Sequence, residues 1–339
     1  MKQRVLKVHA ADNVIVALQD LKRGETVRCQ GKDYRLASDI DAKHKFFAHD
    51  MQPGEKVIMY GVLVGMVQQP VSAGGLMTPV NVKHAADPFF YRPSRYEWTP
   101  PDVSRFTGRT FNGYHRSDGR VGTANYWLFI PTVFCQNRNL DVIHDALHEQ
   151  LGYSVTGKYR QKVKLLAELY ARGAEIGPAD LGVKESVAKT DRLFPHVDGI
   201  KFLNHAGGCG GTRQDAALLA RLLAAYADHP NVGGVTVLSL GCENLQVQDF
   251  MNALKERNPR FDKPLHLFEH QQSQSEEELI TAAIRRTFEG LIELNKMERR
   301  PAPLSRLSVG VKCGGSDGFS GISANPAVGY CSDLLVALE

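Results

Sequence analysis

The stretch YWLFIPTVFCQN (126–137) decides the fold. Its apolar run, Tyr126 to Phe134, reads as a strand that ends beside Cys135. Directly after it, residues 139–151 place Leu140, Ile143, Leu147 and Leu151 on one helical stripe. A strand that feeds an amphipathic helix is the first half of a βαβ unit.

The same grammar recurs outward from this stretch. A strand at Gly199–Asn204 precedes a helix at Arg213–Ala227, and a strand at Val235–Leu240 precedes a helix at Gln246–Lys255. A short strand at Leu265–Phe268 precedes a long helix at Glu276–Lys296. Lys158–Arg172 is a further amphipathic helix, and Ser308–Lys312 reads as a last strand. This alternation predicts an α/β region with a mainly parallel sheet over residues 109–300. Residues 301–339 are expected to begin a further region. The chain stops at LLVALE, inside an apolar run that has barely begun, so a C-terminally truncated chain is expected.

Residues 1–85 read differently. Short β-rich runs are separated by KRGE (22–25), QGKD (30–33) and QPGE (52–55), all turn signals, and no long helical period occurs. A small all-β, partly open barrel or clip is expected. Residues 86–108 carry four prolines and several aromatics and read as an extended linker pinned to a domain surface.

Composition narrows the function classes. The 339 residues are 43% hydrophobic and 23% charged, as in ordinary globular proteins. The net charge of +4 comes from scattered basic residues, which argues against a nucleic-acid partner. No apolar run approaches the ~20 residues of a membrane span, and no secretory leader is visible. The expectation is a cytoplasmic protein whose partner is a small molecule; a homo-oligomer is compatible with it. In that compartment six cysteines act as thiols or metal ligands rather than as disulfides.

Four of these cysteines follow strand-like runs: Cys135, Cys209 in HAGGCGGT (205–212), Cys242 in LSLGCEN (238–244) and Cys313 in KCGGSDG (312–318). Ligands of open α/β sheets bind beyond the carboxyl ends of the strands, so these thiols are expected around one crevice. Each can be a small hydrophobe, a nucleophile or an iron ligand, and spacing does not choose. Cys29 and Cys331 lack this context. HAGGCGGT, between a strand and a helix, offers backbone N–H groups to an anion, or is simply a tight turn. Arg116, Asp118, Arg120 and Asn125 precede the first strand, and the arginines suit a substrate carboxylate. KCGGSDGFSGISANP (312–326) concentrates an ammonium, hydroxyls and a carboxylate, as recognition of a polyol acid requires. His9, His44 and His84 edge the early strand-like runs and are alternative metal ligands.

These motifs carry a resemblance. KVHAADNVIVAL, DGRVGTANYWLFIPTVFCQN, HAGGCGGT, LSLGCENLQ and KCGGSDGFSGISANP, in this order, resemble the altronate/galactarate dehydratase family of sugar-acid dehydratases. The resemblance implies an N-terminal β-clip of SAF type, then a larger catalytic α/β region. It implies loss of water from a sugar acid to give a 2-keto-3-deoxy acid: altronate first, with galactarate, another aldonate or aldarate, or a sulfo-acid as alternatives. A non-catalytic sugar-acid binder is the rival class. Fe2+ is the implied cofactor, with Mn2+ or another divalent metal as substitute. On this reading His205 and Lys312 are the acid/base candidates, and Ser316 and Asp317 hold substrate hydroxyls. Cys209, Cys242 and Cys313 are the metal ligands. Where many relatives carry His-x-His-Asn, this chain reads TPVN (78–81).

Overall fold

The structure is a computed structural model that describes residues 3–88, 97–154, 157–174, 177, 192–312, 314 and 317–338. It divides into two compact units, one of Met1–Thr107 with Val309–Glu339 and one of Gly108–Ser308. Residues 89–96 of the expected linker lie outside the described residues.

The described residues of the first unit hold eight short strands: β1 (Val5–Leu6), β2 (Val14–Ala17), β3 (Thr26–Cys29), β4 (Lys32–Arg35), β5 (Lys45–Phe47), β6 (Lys56–Met59), β7 (Val62–Val67) and β8 (Val82–His84). Every pairing among them is antiparallel. The unit contains a duplication. Gly24 N–H donates to Leu36 O and Gly54 N–H to Val67 O; the Glu25 and Glu55 side chains cap Lys22 N–H and Gln52 N–H. Asp20 accepts from Ala42 N–H as Asp50 does from Ala73 N–H. Both hairpin turns, Gln30-Gly31 and Tyr60-Gly61, take left-handed backbone, the conformation that matches strand twist. Strand β2 alternates between two cores: Ile15 and Ala17 enter one with Val27, Leu36 and Ile40, while Val14 and Val16 enter the other with Met51, Val57 and Val67. Strand β5 does the same with Phe46 and Phe47.

The second unit is the α/β region. Its elements are β9 (Thr110–His115), β10 (Val121–Gly122), β11 (Tyr126–Pro131), α1 (Asn137–Gln150), α2 (Gly157–Ala171), β12 (Gly199–Phe202), α3 (Arg213–Asp228), β13 (Val232–Ser239), α4 (Val247–Arg257), β14 (Leu265–Glu269), α5 (Glu276–Leu294) and β15 (Arg300–Pro303). Strands β12-β11-β13-β14 form one wholly parallel sheet. Every residue of β13 is buried, as a strand covered on both faces requires. Trp127 and Phe129 face Leu140, Ile143 and Leu147 of α1 and Ala283 and Leu291 of α5. Leu128 and Ile130 face Ala220, Leu223 and Ala224 of α3 and Phe250 and Leu254 of α4. The period-2 alternation of one strand thus serves both helical layers.

One expected element is replaced. Residues 308–312 form no strand, and Val309 and Val311 are exposed. The nearby strand is instead β15, which pairs antiparallel with β9. An apolar alternation has no reason to stay extended without a neighbour to bond it. In the first unit, α6 (Asn325–Val336) follows a π-helical turn at Ser320–Ala324. No helix among the described residues is long and apolar enough to cross a membrane.

Candidate functional site at the carboxyl ends of the parallel strands

Three adjacent parallel strands each end in a cysteine-bearing loop. After β11 the chain turns through Phe134–Gln136, after β12 it runs through 203–212, and after β13 through 240–246. Cys135, Cys209 and Cys242 are all exposed there. The loops are tied to one another. Phe134 N–H donates to Gly207 O (2.9 Å), Leu245 N–H to Gly208 O (3.1 Å) and the Asn244 amide to Cys209 O (2.7 Å). Gly208 makes this closeness possible: at φ +100 it lies on Thr132 and Val133 so tightly that a Cβ would overlap the Thr132 carbonyl.

Beneath these loops lies Glu243, which the sequence reading missed. It is 3% exposed. One carboxylate oxygen accepts from Thr132 Oγ (2.6 Å), Ser239 Oγ (2.5 Å) and Leu240 N–H (3.2 Å); the other accepts from Gly241 N–H (2.6 Å). Burial opposes its charge, but the Ser239, Thr132 and backbone hydrogen bonds outweigh it and hold the carboxyl below its ordinary value. The one available signal was a Glu directly after the strand-end Cys, and it reads as an ordinary polar loop residue.

His205 is also committed. Its Nε2 stands 2.8 Å from Pro131 O and its Nδ1 accepts from Gly207 N–H (3.2 Å). This pair of partners fixes the Nε2–H tautomer, with both ring nitrogens spent on backbone. The anion expected at the start of α3 is likewise answered from within the chain. Thr212 and Asp215 form a capping box, and the Asp215 carboxylate takes Thr212 N–H (2.8 Å).

Arg116, Asp118, Arg120 and Asn125 are not at this crevice. They lie at the amino end of the sheet, ahead of β11. Arg116 Nε donates to Pro230 O (2.8 Å) and an Arg116 terminal nitrogen to Asn125 Oδ1 (3.0 Å). Arg120 pairs with Asp118 and with Asp228, which is buried and also bonded by Asn258. Asn125 is fully buried and donates to His196 O (3.1 Å). The carboxylate-binding role expected of them gives way to internal pairing. A residue before a parallel strand sits opposite the strand's carboxyl end. Beside them the Lys263 ammonium donates to Ala227 O and His229 O, and burial, reinforced by Arg116, pushes its pKa down to about 7.

The remaining candidates belong to the first unit. Asp317 is paired with Lys43 (2.8 Å), which holds its carboxyl below the ordinary value. Lys312 is exposed. Cys313 and Ser316 lie outside the described residues. His9, His44 and His84 are exposed, and His9 Nδ1 accepts from Ala11 N–H. Among the described residues no three His, Cys, Asp or Glu side chains are grouped to hold a metal ion. The three histidines therefore do not form a ligand set. Cys135, Cys209 and Cys242 stand on joined loops, but they are not among any such group, so the described donor set does not by itself fit a bound iron ion.

Three family models match the chain in sequence. Residues 3–85 match the family described as altronate/galactarate dehydratase SAF domain, and 304–339 match D-galactarate/altronate dehydratase, C-terminal. Residues 113–295 match D-galactarate dehydratase/altronate hydrolase, second domain. The altronate dehydratase of Bacillus subtilis (strain 168) is 30% identical over 335 residues, covering 98% of this chain and 57% of that protein. The altronate dehydratase of Escherichia coli (strain K12) is 30% identical over 335 residues, covering 98% and 58%. The galactarate dehydratase (L-threo-forming) of the same organism is 29% identical over 337 residues, covering 98% and 57%. This chain thus spans a little over half the length of these relatives. It belongs to the D-galactarate dehydratase/altronate hydrolase family.

Proposed function

We propose that the chain takes part in the dehydration of a sugar acid, with D-altronate as substrate and 2-keto-3-deoxy-D-gluconate as product. The observation that carries this reading is the identity to two altronate dehydratases over 98% of the chain. The linked, exposed strand-end loops of Cys135, Cys209 and Cys242 support the place of the chemistry. Galactarate is the next substrate to test, because the third relative acts on it by name.

In this reading a base removes the C2 proton, the C3 hydroxyl leaves as water after protonation, and the enol formed rearranges to the 2-keto acid. Lys312 is the proposed base. His205, with both ring nitrogens bonded to backbone, holds the loop of Cys209 rather than moving the proton. Asp317 and Ser316 are the proposed hydroxyl partners. Ferrous iron is a proposed cofactor, although no three described His, Cys, Asp or Glu side chains are grouped to hold it.

The test is an anaerobic assay for the 2-keto-3-deoxy product from altronate and galactarate, with and without added ferrous iron. Product from altronate is expected, with Lys312→Met lowering turnover roughly 10²–10⁴-fold. Saturable binding in calorimetry with no product under any condition would instead favour a sugar-acid binder.

A further inference from the structure

We propose that Glu243 is the positioning residue of the strand-end crevice, setting how the Cys242 and Cys209 loops are presented together. This rests on the reading that the carboxyl-end loops form the reactive face. Its carboxylate gathers donors from two strands: Thr132 just beyond β11 and Ser239 at the end of β13. The same carboxylate takes Leu240 N–H and Gly241 N–H, which bends the chain immediately before Cys242. Gly241 is at φ +110, backbone that favours glycine, so this bend depends on the residue before Cys242 having no side chain. Beyond the bend, Leu245 is fully buried and donates to Gly208 O, while Asn244 donates to Cys209 O. One buried anion thus stands under a turn whose far side grips the second cysteine loop.

The donor pattern makes the role specific to an ionised carboxylate. Four donors converge on two oxygens, and two of those donors are backbone N–H groups that cannot reverse. A glutamine in this place turns its NH2 either toward Gly241 N–H or toward Leu240 N–H. In both orientations a donor faces a donor, although the side chain keeps its size. The hydroxyls of Thr132 and Ser239 can rotate to accept, so the strain falls on the backbone of the turn that carries Cys242.

The experiment is site-resolved alkylation of the native full chain with iodoacetamide, read by mass spectrometry at each cysteine. Glu243→Gln is expected to change the rates at Cys242 and Cys209 by about tenfold, as loss of a charged hydrogen-bond network allows, while Cys135 and Cys331 keep theirs. Ser239→Ala, which removes one donor and keeps the charge, serves where Glu243→Gln folds poorly. It is expected to move the same two thiols by a smaller factor. Unchanged rates at Cys242 and Cys209, or a parallel change at all exposed cysteines, overturns the proposal. The readout does not involve turnover. If the selective change appears but Cys242→Ser leaves product formation intact, the positioning role stands and the functional reading of the crevice falls.

Discussion

The amino and carboxyl ends of the parallel sheet keep buried charge by different means. At the amino end, Asp228 and Asp118 are met by Arg120, and the half-buried Arg116 is bonded to Pro230 and Asn125. At the carboxyl end, Glu243 is held by hydroxyls and backbone N–H groups. Ion pairing consumes the side chains that take part in it. Neutral donors leave the neighbouring side chains free, and the thiols of Cys135, Cys209 and Cys242 are exposed above them. The difference separates an end held by ion pairs from an end whose strand-end loops expose three thiols.

Four outcomes sharpen or break that contrast. Asp228→Ala leaves Arg120 without its buried partner and is expected to cost about 3 kcal/mol in denaturant unfolding. The alkylation rates of Cys209 and Cys242 should not follow. Gly208→Ala forces a Cβ onto the Thr132 carbonyl in left-handed backbone, for about 2 kcal/mol. Its effect should reach the thiols, since Gly208 O holds Leu245 N–H. A G208A chain with unaltered thiol rates breaks the link drawn between the loops.

The third outcome is a pH dependence. The Lys263 pKa is about 7 in the folded chain and near 10.5 unfolded, so between these values the unfolded state binds more protons. Stability from this group therefore rises as pH increases from about 7 to 10. Lys263→Met should flatten that rise by about 1 kcal/mol, a figure reduced for the partial exposure of the side chain. An unchanged slope in unfolding titrations removes Lys263 as its source. The smallest expected effect on stability is that of Cys242→Ser, within about 0.5 kcal/mol for an exposed position. Its effect should appear in product formation, which separates the two ends most directly.

Much of the α/β unit was legible because its central strands β11 and β13 are buried on both faces and its helices on one. Tyr126–Phe134 was expected and Tyr126–Pro131 is found; Val235–Leu240 was expected and Val232–Ser239 is found. Strand β15 was hidden by its composition, Arg-Pro-Ala-Pro, since proline is tolerated in a strand only where its missing N–H is not needed. The location of Cys135, Cys209 and Cys242 followed from strand order and polarity alone. The sequence reading gave Arg116 and Arg120 a substrate carboxylate without applying that polarity, which places residues that come before the strand at its opposite end. Glu243 was unreadable because its meaning lies in Thr132, 111 residues away in sequence. Only the β11–β13 pairing brings the two together.

The shared strands of the first unit have a consequence for how it folds. Because β2 and β5 give alternate residues to two cores, a slip of either strand by one residue exchanges the contributions to both cores at once. Ile15 would leave the core it shares with Ile40 as Val14 and Val16 left theirs with Val57. Neither duplicated half holds a complete interior without strands lent by the other. The unit is therefore expected to form in a single all-or-none step, with register, rather than the stability of either half, as the quantity under selection.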